Sequence, residues 1–230
     1  MTNKLVGTSK IPTTMNAIRL YRAEGPAGLV YEQIQTPWPK ADEALVRVHA
    51  AAITRDELDW PVNRLPAVPS YEFSGIVSAV GQGVDGIEVG EAVYALSPFD
   101  QDGAAADYVV ISKDFLAPKP KKLDHIQSAS IPLAALTALQ GLFEHGQLSR
   151  GQRVLIHGAT GGVGQFAVQL ARLHGTYVIG TVSTRNFEAG HKLGLDEIIE
   201  YPTISFEEVV KQVDLVFDTA GGDRLQRSSL

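Results

Sequence analysis

Apolar residues follow two different rhythms along this chain. From Arg153 to Gly175 (RVLIHGATGGVGQFAVQLARLHG) a short apolar run, Val154, Leu155 and Ile156, gives way to glycines and then to Val163, Phe166, Ala167, Leu170 and Ala171 at helical spacing. The pattern predicts a strand covered on both faces, a sharp turn, and an amphipathic helix packed back on the sheet. Further apolar runs predict strands at about 177–182, 197–201 and 214–218. Upstream the period drops to two. ALVRVHA over 44–50 alternates, and the run 73–80 precedes GQGVDGIEVGEAVYAL, with glycines at 81, 83, 86 and 90. This half reads as a compact, barrel-like, mostly β domain. A helical connector starts near His125 and runs through IQSASIPLAALTALQGLFEHG, which places the domain boundary near 120–150.

The glycines carry chemistry because of what flanks them. Gly158, Gly161 and Gly164 form GxxGxxG between the predicted strand and helix. The absence of Cβ there lets a pyrophosphate approach the backbone at the positive end of the helix. Thr160, Gly162 and Val163 complete the candidate phosphate-binding turn. The plainer alternative is a tight turn without a ligand. At the end of the next predicted strand, YVIGTV, an NAD-selective site usually carries an acid for the ribose hydroxyls. This chain has Ser183, Thr184, Arg185 and Asn186 instead. A hydroxyl and a guanidinium bind a 2′-phosphate that a carboxylate would repel, so NADPH is favoured over NADH. The competing reading makes Arg185 a solvated helix-start residue.

Composition narrows the classes of function. With 230 residues and 44% hydrophobic content, the chain can bury a sizeable core in one or two domains. A net charge of −6 gives no basic footprint for nucleic acid or an anionic membrane, and no apolar run approaches a membrane span. The absence of cysteine excludes disulfides, thiolate nucleophiles and Cys-based zinc sites, and fits a cytoplasmic location. Residues 1–14 lack the apolar core of a secretory signal and read as a loose leader, the alternative being a weak organelle-targeting peptide, which the absence of arginine and the weak amphipathic pattern disfavour. The six histidines, at 49, 125, 145, 157, 174 and 191, show no close ligand spacing and are expected at the surface or as caps.

Taken together, AIRLYRAEGPAGLVYE, PSYEFSGIVSAVGQGVDGIEVGEAVYAL, PLAALTALQGL, GATGGVGQFAVQLAR and LGLDEIIEY, in that order, make nearly the whole chain resemble the medium-chain dehydrogenase/reductase superfamily. Within it the resemblance is to the zinc-independent quinone oxidoreductase-like group. It implies an α/β chain, with a GroES-like catalytic domain over 15–124 followed by a Rossmann domain with a doubly wound parallel sheet over 125–230. Substrate and nicotinamide would lie in the cleft between them. The implied activity is NADPH-dependent transfer of hydride to a quinone or an α,β-unsaturated carbonyl, a small-molecule substrate, by a homodimer. In the zinc alcohol dehydrogenases a cysteine and a histidine hold metal at the places occupied here by Thr54 and Tyr71, neither a good zinc ligand, so no metal is expected.

By the same resemblance Thr54 sits near the nicotinamide and Tyr71 faces the same cleft. Either hydroxyl is a candidate hydrogen-bond donor to the substrate oxygen, although Tyr71 beside Phe73 also reads as a packing residue. Thr137 matches a threonine near the nicotinamide, and Tyr201 a tyrosine beside the adenosine phosphate. Their alternatives are a helix hydroxyl bonded to its own backbone and a strand-end aromatic packed on a loop. Of the carboxylates Asp56, Glu57, Asp59 and Glu72, the run DELD is expected on a solvated turn, and Glu72 alone near the site.

Only four strands of the doubly wound fold can be counted before the chain ends, so it looks truncated, with an apolar sheet edge left uncovered. This keeps open a non-catalytic NADPH-binding protein or an inactive truncated relative. An alcohol dehydrogenase is disfavoured by Thr54, Tyr71 and the lack of cysteine.

Overall fold

The computed structural model describes residues 11–54, 57–60, 64–201, 203–222 and 227–228. Most of the expected leader over 1–14 lies outside them, and β1 opens at Thr14. The chain divides into two compact units, one up to Leu133 and one from Ala134.

The first unit is antiparallel β. Strands β1 (Thr14–Leu20) and β2 (Leu29–Gln35) pair as a ribbon. Strands β3 (Glu43–Ala52), β4 (Glu72–Val80), β5 (Ala92–Leu96), β6 (Tyr108–Ser112) and β7 (Leu116–Pro118) form a second sheet in the order β6-β3-β4-β5-β7. The period-2 alternation places Val46, Phe73, Val77, Val93, Val109 and Ile111 in one buried cluster. Helix α1 (His125–Ala129) packs on β3, β4 and β5. Its start is a capping box: the Asp124 carboxylate accepts the Gln127 amide at 2.7 Å, and the Gln127 side chain accepts the Asp124 amide at 3.1 Å.

The expected single connector helix is broken. After α1 the chain restarts at Pro132, whose missing N–H costs nothing in a first helical turn. It runs as α2 (Pro132–Leu139), then widens into a π-helical turn over Gln140–His145.

The second unit is a parallel α/β sheet. Its elements are β8 (Arg153–His157), α3 (Gly162–His174), β9 (Tyr177–Val182), α4 (Phe187–Leu193), β10 (Glu197–Glu200), α5 (Phe206–Val209) and β11 (Leu215–Asp218). All pairings are parallel, in the order β10-β9-β8-β11. Both faces are covered, as the continuous apolar run predicted. Val154 and Ile156 face a cluster containing Ala167, Val168 and Ala171 of α3, while Leu155 and Ile179 face Ile199 and Phe206. Because the chain leaves β8 for β9 on one side and returns as β11 on the other, the sheet has its switch point between β8 and β11. Ligands of open α/β sheets bind at that point, outside the carboxyl ends of the strands.

His157 departs from the surface position expected of the histidines. It ends β8 fully buried, with Nδ1 3.3 Å from Thr181 Oγ1 and the Phe206 ring 4.6 Å away. At the end of a strand covered on both faces, it is held by Thr181 and the Phe206 ring instead of turning to solvent. Among the described residues no helix is long and apolar enough to cross a membrane.

Candidate functional site

The candidate residues gather in two regions, one in each unit. In the second unit the turn after β8 is shaped by glycine. Gly158 takes φ +66°, and a Cβ on Gly164 would lie 2.1 Å from the Gly158 carbonyl oxygen, so α3 can start this close to the turn only with glycine there. Gly161 caps α3 without any side-chain hydrogen bond, and a Cβ on Gly162 would meet nothing within 4 Å. Among the described residues, then, the start of this thirteen-residue helix at the switch point carries no side-chain cap on its first amides. Thr160 and Val163 are half-buried beside them. The turn is held from beneath: Thr181 Oγ1 accepts the Gly158 amide at 3.1 Å, and Thr219 Oγ1 donates to the His157 carbonyl at 3.0 Å.

The ends of β9 and β10 adjoin this turn. Ser183 follows β9 directly, and its hydroxyl oxygen is buried without a hydrogen-bond partner among the described residues. Arg185 is exposed in a single 3-10 turn over 184–186. The Tyr201 amide donates to the Val182 carbonyl at 3.2 Å, which brings this exposed tyrosine beside Ser183 at the carboxyl edge of the sheet, one residue past β10. An uncapped helix start, a place open where a Cβ would stand and an orphaned buried hydroxyl all fit a phosphorylated dinucleotide.

Thr137 and Val163 line a cavity of about 500 Å³ whose wall also includes Gln140, His145, Asp218 and Thr219. These last four were absent from the sequence-based candidates. Asp218 had a usable signal, since it ends the strand beside the switch point; one of its oxygens accepts the Ala220 and Gly221 amides at 2.8 and 3.0 Å, and the other is buried without a partner among the described residues. Gln140 and His145 depend on the π-helical turn, which no residue pattern announces.

In the first unit Thr54 is half-buried and Tyr71 buried. The Tyr71 ring lies 5.1 Å from Phe99, edge on, and 6.4 Å from Trp60, stacked, so its packing neighbours are these two rings. Burial and the nearby Glu57 charge raise the Tyr71 phenol above its ordinary value, which keeps the hydroxyl protonated. Glu72 is buried and accepts the Leu133 amide at 2.9 Å; burial raises its carboxyl, that hydrogen bond lowers it, and Glu57 raises it further.

The expected solvated turn at DELD holds for Asp59, which is exposed, and fails for Glu57, which is 5% exposed. Asp56 lies outside the described residues. Glu57 turns inward because two backbone N–H groups wait there: Thr54 donates to Oε2 at 2.9 Å and Ser70 to Oε1 at 2.6 Å.

Comparison with known proteins defines the class. The alcohol dehydrogenase GroES-like domain model matches residues 40–121, and the zinc-binding dehydrogenase model matches 162–230. The solved quinone oxidoreductase of Coxiella burnetii is 36% identical with a TM-score of 0.84, the match covering 91% of this chain and 70% of that one. A chloroplast quinone oxidoreductase of Triphysaria versicolor is 34% identical, over 78% of this chain and 58% of its own. The chloroplast NADPH-dependent alkenal/one oxidoreductase of Arabidopsis thaliana is also 34% identical, over 82% of this chain and 52% of its own. This chain thus spans a little over half the length of these curated relatives. It belongs to the medium-chain dehydrogenase/reductase superfamily. Within that superfamily it falls in the quinone oxidoreductase-like group.

Proposed function

We propose that the chain serves an NADPH-dependent oxidoreductase that transfers hydride to a quinone or an α,β-unsaturated carbonyl without zinc. The observation that carries this reading is the open, uncapped glycine turn at the switch point, with Ser183 and Arg185 in place of a carboxylate at the end of the neighbouring strand. Relatives named for quinone and for NADPH-dependent alkenal/one reduction support the substrate class.

When bound, the nicotinamide supplies the hydride, so the protein's share is to hold, orient and protect. Gly158, Thr160, Gly161, Gly162, Val163 and Gly164 take the pyrophosphate. Ser183 and Arg185 take the 2′-phosphate, Tyr201 flanks the adenosine, and Thr137 borders the nicotinamide end. Thr54 and Tyr71 donate hydrogen bonds to the substrate oxygen as negative charge develops on it, a role for which a buried phenol that keeps its proton is suited. Zinc chemistry is not assigned, because Thr54 and Tyr71 are poor zinc ligands and the chain has no cysteine. Residues 15–124 act as the catalytic domain and 125–230 as the cofactor domain of a cytoplasmic homodimer.

Fluorescence titration with NADPH and NADH tests the reading. Arg185→Ala is expected to weaken NADPH about tenfold, the value of one charge-assisted contact, and to leave NADH unchanged. Equal binding of the two nucleotides by the unmodified protein refutes the assignment. Loss of NADPH absorbance with quinones and enones then tests turnover.

A further inference from the structure

Glu57 is a buried carboxylate that hydride transfer does not require. Its two oxygens accept backbone amides from two different segments, Thr54 at 2.9 Å and Ser70 at 2.6 Å. The second segment is unusual. Ser70 is buried at φ +69°, a left-handed conformation that a non-glycine residue keeps only where its surroundings hold it there. Here it is held at both ends: its amide by Glu57, and its carbonyl by the Ala104 amide at 2.6 Å. The next residue is Tyr71, so the direction of the phenol follows from the backbone that Glu57 fixes. The first segment ends in Thr54, whose carbonyl in turn accepts the Glu57 amide at 3.1 Å.

We infer that Glu57 is a positioning residue: its carboxylate clamps the Thr54 and Ser70–Tyr71 segments through their backbone amides and so sets the relative placement of the two hydroxyls. The inference rests on the reading of Thr54 and Tyr71 as substrate-facing groups. Charge makes the clamp work, because an ionised carboxylate offers acceptors on both oxygens, whereas a protonated one turns a hydroxyl toward one of the two N–H donors. Burial raises the Glu57 carboxyl, opposed by these same two hydrogen bonds, so protonation begins at a higher pH than for an exposed glutamate. The neighbouring titratable groups do not replace its charge. Tyr71 and Glu72 are themselves raised by it, and Arg64 is paired with Asp102 at 2.9 Å.

The test follows the backbone amide resonances of Thr54 and Ser70 in the labelled protein as pH falls. Both are expected to shift with one common midpoint above the ordinary carboxylate range, and the shared transition disappears in Glu57→Gln. The same variant is assayed with NADPH and a quinone. A loss in kcat of about tenfold or more is expected, with KM for NADPH unchanged and the acid limb of the wild-type pH profile gone. Amides that do not titrate together overturn the clamp, and this measurement on the wild type stands even if the variant misfolds. Thr54→Val and Tyr71→Phe are run alongside. Losses in those two but not in Glu57→Gln overturn the clamp alone, whereas full turnover in both overturns the substrate-facing reading and the catalytic part of this inference with it.

Discussion

The two candidate regions treat the same chemical group in opposite ways. At the turn after β8, the start of α3 has no side-chain cap among the described residues, and the place of a Cβ on Gly162 is open. Around Thr54 and Tyr71, backbone N–H groups are satisfied from within, by carboxylates drawn out of water. The first arrangement suits a ligand that brings its own negative charge. The second suits a rigid wall, since each buried carboxylate fixes a segment distant in sequence. A region that awaits an anion and a region that has built one in therefore answer differently to substitution and to pH.

The largest effect is expected from Gly164→Val, because any Cβ there meets the Gly158 carbonyl oxygen at 2.1 Å. Overpacking of this kind costs about 1–3 kcal/mol. Thermal unfolding should show a lower midpoint, and NADPH titration should show no binding. Glu72→Ala sharpens the contrast from the other side. It removes the Glu72 carboxylate that accepts the half-buried Leu133 amide at 2.9 Å, a loss of about 1 kcal/mol readable by denaturant unfolding, while nucleotide affinity stays at its wild-type value.

The pH dependence separates the regions further. Burial raises the Glu57 and Glu72 carboxyls above their unfolded-chain value, so the folded protein holds these two protons more tightly than the unfolded chain does. Their contribution to stability is full below the unfolded value of about 4.3 and is lost as pH rises through the folded values. Unfolding free energy measured upward from about pH 4.3 should therefore fall with these two groups, and the fall should shrink in Glu72→Gln. The smallest expected effect is that of Ser183→Ala. Removing a buried hydroxyl without a partner among the described residues should raise stability by up to about 1 kcal/mol and weaken NADPH a few-fold. A stability gain with unchanged NADPH affinity would take Ser183 out of the cofactor site.

What the sequence disclosed follows the same division. The glycine turn was readable because its requirement is local: a strand of one period, a helix of another, and glycines between them. The strands at 153–157 and 177–182 fall where the apolar runs placed them. Glu57 was not readable, since in DELD it differs in no way from a solvated acid. Its burial depends on an amide thirteen residues away in a left-handed backbone. His157 was misjudged for a related reason, because its polarity spoke for the surface while its place in a doubly covered strand decided the matter. The cavity wall at Gln140 and His145 depends on a π-helical turn, a change of winding that leaves no trace in hydrophobic spacing.

The ring cluster of the first unit also makes the molecule its own optical probe. The chain has two tryptophans. Trp60 lies 5.5 Å from Phe99 and 6.4 Å from Tyr71, whereas Trp38 is 54% exposed. Quenchers dissolved in the buffer will reach Trp38 first, leaving an emission dominated by Trp60. Movement of Tyr71 can then be followed in real time without attaching a dye.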